Sequence, residues 1–179
     1  VRLTFNDPSG LSTRKCQYLT PGKSDWQTVS CSGTTDSRDV QINLASGGDC
    51  PSDGTCFVRA RITDTNNNPV SSITEKNFNI DRVAPLFTSD VTADKTTIKT
   101  NEAVTYSATV TDATSQIKIC SLFVDDAPQG AMTISGTSTS KSYTKTTAGT
   151  FTVKIQCDDN AGNTATKSKQ FTAQQPTPT

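Results

Sequence analysis

Phe151-Thr152-Val153-Lys154-Ile155-Gln156-Cys157 alternates without a break, with Phe151, Val153, Ile155 and Cys157 on one face and Thr152, Lys154 and Gln156 on the other. A period of two is the mark of a β-strand with one buried face. The pattern recurs upstream, where Val104, Tyr106, Ala108 and Val110 share one face and Cys120, Leu122 and Val124 another. Turn-forming residues separate the runs at Thr111-Asp112, Asp125-Asp126-Ala127-Pro128 and Asp158-Asp159-Asn160-Ala161-Gly162-Asn163,. The second half of the chain therefore reads as an antiparallel β-sandwich. Cys120 and Cys157 both fall on the inward register, which predicts a disulfide across the core. In the chain-entropy model such a long loop contributes about 3 to 4 kcal/mol.

The first half repeats this plan. Val1 to Asp7 matches the strand that ends at Asp112, and Arg14-Lys15-Cys16-Gln17-Tyr18 matches Ile117-Lys118-Ile119-Cys120-Ser121-Leu122. Phe57 to Asp64 matches Thr152 to Asp159, Asn66-Asn67-Asn68-Pro69 falls where Ala161-Gly162-Asn163 does, and Phe78 corresponds to Phe171. An ordered internal repeat of this kind points to two copies of one architecture. In this register Ile62 takes the place of Cys157, so Cys16 needs another partner. Cys16 and Cys31 flank Pro21-Gly22-Lys23-Ser24-Asp25, a composition suited to a hairpin turn, and Cys50 and Cys56 bracket Pro51 to Thr55,. The expected pairs are Cys16–Cys31 and Cys50–Cys56, with Cys16–Cys56 and Cys31–Cys50 as the rival connectivity.

Length and composition agree with two sandwiches. The chain has 179 residues, of which 32% are hydrophobic, and a β-sandwich of this kind takes roughly 80 to 100 residues. Thr, Ser, Asn and Asp fill much of the remainder, favouring half-buried strands joined by polar turns. The 17 basic and 17 acidic residues balance. Their scatter leaves no electrostatic footprint for nucleic acid, and no apolar run is long enough for direct membrane insertion. No leader precedes Val1, so any signal or anchor is expected outside this sequence. Six cysteines, four in the first half and two in the second, suit disulfides closed within each half and an oxidising, extracellular or cell-surface location.

Phe78-Asn79-Ile80-Asp81-Arg82-Val83-Ala84-Pro85 resembles the Asp-x-x-Ala-Pro linker between tandem immunoglobulin-like repeats of bacterial and archaeal cell-surface and appendage proteins. Asp112, the Asp159 to Asn163 turn and the Cys16/Trp26/Cys31 segment also look like turns and a hairpin of such repeats. The resemblance covers nearly the whole chain. It implies an all-β fold of two tandem immunoglobulin-like antiparallel sandwiches, residues 1–82 and 83–173, followed by a Pro/Thr linker or tail at 174–179. Repeats of this kind serve as stalks, adhesins, appendages of enzymes and filament subunits, so the fold alone does not select a function.

Enzymatic chemistry is not expected. The chain has no His, the usual base for a nucleophile. The acidic pairs Asp125/Asp126 and Asp158/Asp159 sit in turns where carboxylates cap backbone N–H groups. Neither a His nor a Cys-x-x-Cys pair is present for zinc. No cofactor is expected, and calcium is the weaker alternative, with Asp64, Asp81, Asp112 and Asp159 as the oxygen donors that loops at a junction would bring together. No Asn-x-Ser/Thr acceptor occurs, and Trp26 beside Cys31 reads as core or disulfide cover rather than a sugar platform.

One asymmetry bears on partners. The second half spends Leu86 to Ala103 on a leading strand, and the first half has no counterpart. Its opening edge, with Val1, Leu3 and Phe5, is expected to pair with a strand supplied from elsewhere. Gln174, Pro176 and Pro178 in the tail are the matching contact candidates. The expected partners are copies of the same chain in a filament or neighbouring immunoglobulin-like domains. The expected role is structural, in a pilus-like appendage or stalk. An adhesin, a carbohydrate-binding module or accessory domains of a larger secreted enzyme are the alternatives.

Overall fold

The computed structural model describes residues 1–176, and the chain divides into two compact units, Val1–Asp81 and Arg82–Thr179. Both are all-β immunoglobulin-like sandwiches, and among the described residues there is no helix.

The first unit contains β1 (Arg2–Asn6), β2 (Lys15–Leu19), β3 (Gln27–Val29), β4 (Thr35–Asp39), β5 (Gly54–Thr63) and β6 (Thr74–Ile80). β1 and β4 form a two-stranded sheet, facing a four-stranded sheet in the order β3-β2-β5-β6. Cys16 stands opposite Ile62 in the β2–β5 ladder, so Ile62 fills the strand position that a cysteine holds in the second unit. In the β2–β3 hairpin Cys16 faces Val29, not Cys31. Cys31 lies beyond the end of β3 and reaches back to Cys16 with a Cα–Cα separation of 6.1 Å. A second bridge joins Cys50 to Cys56 at the start of β5.

The core of this unit is divided. Phe5, Leu11, Cys16 and Ile62 form one buried cluster, and Cys50, Cys56 and Ile80 another. Buried polar groups supplement them. Thr20 Oγ1 donates to Asp49 Oδ1 at 2.9 Å, and the Asn43 N–H donates to Asp49 Oδ2 at 2.7 Å. This ties the loop after β4 onto the turn after β2. The two backbones meet so closely there that a Cβ on Gly22 would stand 1.9 Å from the Gly48 carbonyl oxygen. Only glycine allows that approach. β6 is irregular at its start: Thr74 faces Ala60, but Pro69 already faces Thr63, so three steps along β5 oppose five along the other chain. The surplus forms a bulge, and Ser71 Oγ accepts the Ile62 N–H at 2.9 Å in place of a ladder carbonyl,.

The second unit contains β7 (Leu86–Phe87), β8 (Thr92–Ala93), β9 (Ile98–Lys99), β10 (Ala103–Thr111), β11 (Ile117–Val124), β12 (Ala127–Ala131), β13 (Thr133–Ser135), β14 (Ser138–Thr144), β15 (Gly149–Asp159) and β16 (Thr164–Gln174). One sheet runs β13-β14-β10, with β7 and β8 both on the outer edge of β10. The other runs β12-β11-β15-β16-β9, where β9 joins β16 in parallel. The β11–β12 hairpin turns at Asp125 and Asp126, both at positive φ, the conformation a tight two-residue hairpin requires,.

Its core is one continuous cluster that includes Val104, Tyr106, Val110, Leu122, Phe151, Val153 and Ile155. The Tyr106 ring meets Phe151 and Phe171 edge-on, at centroid distances of 6.3 and 5.1 Å. Burying each large side chain contributes about 1.5 to 3 kcal/mol. The Cys120–Cys157 disulfide does not cross between the sheets as its inward register implied. Cys120 and Cys157 face each other on β11 and β15, adjacent strands of one sheet, with Cα atoms 4.1 Å apart. Alternation reports which face a side chain takes, and two residues of one sheet share that face as readily as two residues of opposed sheets.

Candidate functional site

Of the four carboxylates proposed for calcium, Asp64, Asp112 and Asp159 accept the N–H groups of turns. Asp64 Oδ1 accepts the N–H groups of Asn66 and Asn68, both at 2.8 Å, and Oδ2 accepts Asn68 Nδ2 at 2.9 Å. Asp159 does the same in the second unit: Oδ1 accepts from Gly162 at 2.7 Å and Asn163 at 2.9 Å, and Oδ2 from Asn163 Nδ2 at 2.8 Å. Both turns also close with a backbone bond, Asp64 N–H to Asn68 and Asp159 N–H to Asn163. Asp7 and Asp112 are a second matched pair, each accepting backbone N–H groups of the residues that follow.

These partners set the charge state. The Asn68 side chain, then its N–H, hold the Asp64 carboxyl below its ordinary value. Burial works to raise Asp159, and the Asn163 side chain with the Asn163, Gly162 and Ala161 N–H groups outweighs it, so the net shift is downward. Both are anionic at neutral pH. In the first unit Arg14 Nε donates to Asp7 Oδ2 at 3.0 Å. In the second, oxygens of Asp112 and Asp159 lie within 4.8 Å of each other. Asp81 is the last residue of the first unit and half-buried.

The acidic pairs are likewise engaged. Asp125 Oδ1 accepts the Thr152 N–H and Oδ2 accepts Lys145 Nζ, both at 2.8 Å, and Asp126 pairs with Lys154 at 2.6 Å. Asp158 Oδ1 accepts Thr164 Oγ1 at 2.8 Å. Trp26 is half-buried under the Arg61 guanidinium, 4.1 Å from the ring centroid, so it covers β5 instead of filling the core.

The opening edge of the first unit has a different character. Val1 and Val40 exchange backbone bonds, and the Asp7 N–H donates to Thr34. By the alternation of an antiparallel ladder, Val1, Leu3, Phe5 and Asp7 thus point their peptide groups at β4, and Arg2, Thr4 and Asn6 point theirs away. Among the described residues no strand receives them. In the second unit the corresponding edge of β10 is occupied. Thr88 N–H donates to Thr109 O at 2.9 Å, Asp94 N–H donates to Thr105 O at 3.0 Å, and Ser107 faces Thr92. Among the described residues β6 also has no parallel partner such as β9 gives β16.

Between these two edges runs an open groove of about 390 Å³, lined by β1 along its whole length, by Ala60 to Ile62 of β5 and by Ser71, Ser72, Thr74 and Lys76. Of the contact candidates, Leu3 is half-buried and lines the groove, Phe5 lines it from the core, and Val1 is 52% exposed beside it. Gln174 is the last residue of β16, paired with Lys99 and therefore part of the second sandwich. Pro176 is exposed, and Pro178 lies outside the described residues. The exposed, two-residue bulge before β6 gave no sequence signal, since Ser71 to Ile73 reads as ordinary turn composition.

No protein-family model matches the chain, and no curated protein does. Solved structures do. The chain is similar to the PKD1 domain of Vibrio anguillarum Epp, at 16% identity and a TM-score of 0.42, over 54% of this chain and 100% of that one. It is also similar to the fibronectin(III)-like modules of Clostridium thermocellum CbhA, at 15% identity and a TM-score of 0.48, over 97% of this chain and 86% of that one.

Proposed function

We propose that the chain is an extracellular structural element, a subunit or segment of a surface filament or stalk, joined to its neighbour by addition of a β-strand to the first sandwich. The observation that carries this reading is the bare β1 edge above an open groove, at the place where the second unit holds β7 and β8. Exposed strand edges pair with other chains unless they are covered or blocked. Three disulfides within 179 residues suit an oxidising, mechanically exposed setting,. Asp64, Asp112 and Asp159 are engaged in turns, and every aromatic side chain is buried or half-buried. Among the described residues no exposed aromatic platform for sugars competes with a structural role.

Electron microscopy of the native material is the test. Fibres with a fixed axial repeat, containing this chain throughout, are expected. Isolated particles at native concentration, with no fibre or stalk containing the chain, would overturn the reading.

A further inference from the structure

One side of β16 is uncovered along most of its length. β16 pairs with β15 from Thr164 to Ala173, and β9 reaches its other side only at Ala173 and Gln174. The Asp159 N–H donates to Asn163 O, and the Thr100 N–H donates to Gln174 O. By the alternation of an antiparallel ladder, Thr164, Thr166, Ser168 and Gln170 therefore point their peptide groups away from β15. Among the described residues no strand receives them. This edge is bare even though β7, β8 and β9 are all present in the second unit.

The ladder sets which side chains face the core from this edge. Lys167 stands opposite Ile155, Lys169 opposite Val153 and Phe171 opposite Phe151, and residues directly opposite share a face. Ile155, Val153 and Phe151 are buried core residues. Lysines thus hold two places that an apolar side chain would fill in a covered strand. Both keep their ammonium groups in water at the open side of the sandwich. Lys167 Nζ meets Asp90, in the segment between β7 and β8, at 3.0 Å. Lys169 is exposed, with Nζ 5.8 Å from the centroid of the Phe171 ring. The Lys167 hydrogen bond, then its charge and that of Lys169, hold the Asp90 carboxyl below its ordinary value. The first unit repeats the placement. Cys16 faces Ile62 as Cys120 faces Cys157, so Val58 and Val153, each four residues earlier, are equivalent. Val58 faces Lys76, which makes Lys76 the counterpart of Lys169, and Thr74 takes the place of Lys167.

We infer that Lys167 and Lys169 guard the β16 edge against pairing with a strand of another molecule, and that Lys76 guards the equivalent edge of β6. A strand added beside β16 would lay its own core-facing side chains against those of β16 and close the open side over two ammonium groups. An apolar strand offers them no partner, and burying an unpaired charge is costly. Inward-pointing charges, lysine above all, are one way in which sheet proteins keep an edge solitary. Asp90 makes the pair tolerable, because it offsets the repulsion of two lysines two residues apart on one face while leaving both in water. The recurrence of a lysine at one core-facing place in two otherwise dissimilar edge strands carries the inference. It stands apart from the filament reading, since it names edges that stay out of any assembly.

The test compares two double variants of the full chain. Lys167→Val with Lys169→Val removes the inward charges, and Thr166→Val with Ser168→Val adds similar apolar surface to the outward face of the same strand. Sedimentation over a range of concentrations measures self-association, and hydrogen exchange locates it. The lysine variant is expected to associate at a concentration at least about tenfold lower than the unchanged chain, with slowed exchange at the amides of Thr166, Ser168 and Gln170. The Thr166/Ser168 variant is expected to sediment like the unchanged chain, and so is Lys167→Arg with Lys169→Arg, which keeps the charges. Lys76→Val is expected to shift association in the same direction by a smaller factor, with protection along β6. A folded lysine variant that sediments like the unchanged chain would overturn the inference. Association through another edge, equal association of the Thr166/Ser168 variant, or self-association of the unchanged chain through β16 would also overturn it. If the valine pair prevents folding, Lys167→Gln with Lys169→Gln removes the charges with polar groups. Association of that variant with protection of β16 then supports the inference, and its absence rejects it.

Discussion

The two sandwiches use the same strand plan and reach different ends with it. In the second unit β10 is closed by β7 and β8 and the end of β16 by β9, and a single apolar cluster runs through the sandwich. In the first unit β1 and β6 are open, the apolar core is split in two, and Asp49 and its partners occupy the space between turns. The second unit is held by burial. The first relies more on covalent bridges, which is the usual recourse where the core is small. A bare edge and a small core go together, because the strand that would cover the edge would also extend the core.

Reduction should separate the units most strongly. Removing a disulfide from a small domain costs about 2 to 5 kcal/mol, and the first unit has two where the second has one. Trp26, the single Trp, lies in the first unit, so its fluorescence follows that unit alone. Under thiol reductant the Trp26 transition is expected to disappear at room temperature while far-ultraviolet circular dichroism retains a strand signal from the second unit. Coincident loss of both signals would show that the second unit depends on its bridge as much as the first.

Core truncation should act in the opposite sense. Phe151→Ala removes the ring packed against Tyr106 and Phe171 and is expected to cost the second unit about 3 to 5 kcal/mol,. In chemical denaturation the second transition should move to lower denaturant and the Trp26 transition should stay in place. A shift of both would mean that the units unfold together.

Acid offers a matched comparison, since Asp64 and Asp159 hold equivalent turns. Their folded-state values lie below the ordinary value of 3.8. A depressed carboxyl contributes stability that is present above its unfolded pKa and is lost as pH falls through the folded one. Each unit should therefore keep its stability down to about pH 4 and lose it progressively below. Asp64→Asn should flatten the acid slope of the Trp26 transition only, and Asp159→Asn that of the second unit only. Thermal melts from pH 2 to 7 would read both.

Much of this comparison was legible in the residues, and its limits were physical. The alternation from Phe151 to Cys157 marked β15, and the substitution of Ile62 for a cysteine marked a sheet position whose partner the structure shows to be Cys16. Alternation could not tell a bridge between sheets from one within a sheet, so Cys120 and Cys157 were placed on the right face and in the wrong relation. β8 and β9 are two residues each, too short to show a period at all. The bulge at Ser71 to Ile73 and the contact of Gly22 with Gly48 depend on residues distant in sequence, which no local pattern reports. Lys76 looked like any solvated lysine until the ladder put it on the face of Val58.

That last point yields the smallest and most discriminating expectation. Lys167 is paired with Asp90, but both side chains are largely in water, at 40% and 68% exposure. Exposed pairs contribute about 0.2 to 1 kcal/mol. Lys167→Glu should therefore lower the stability of the second unit only slightly, and less at high salt. Lys76→Glu should leave the first unit unchanged, because Lys76 has no carboxylate partner among the described residues. Matched denaturation curves of the two variants, at low and at high salt, make the comparison. If Lys76→Glu moves the Trp26 transition as far as Lys167→Glu moves the other, Lys76 has a charge partner within its own unit.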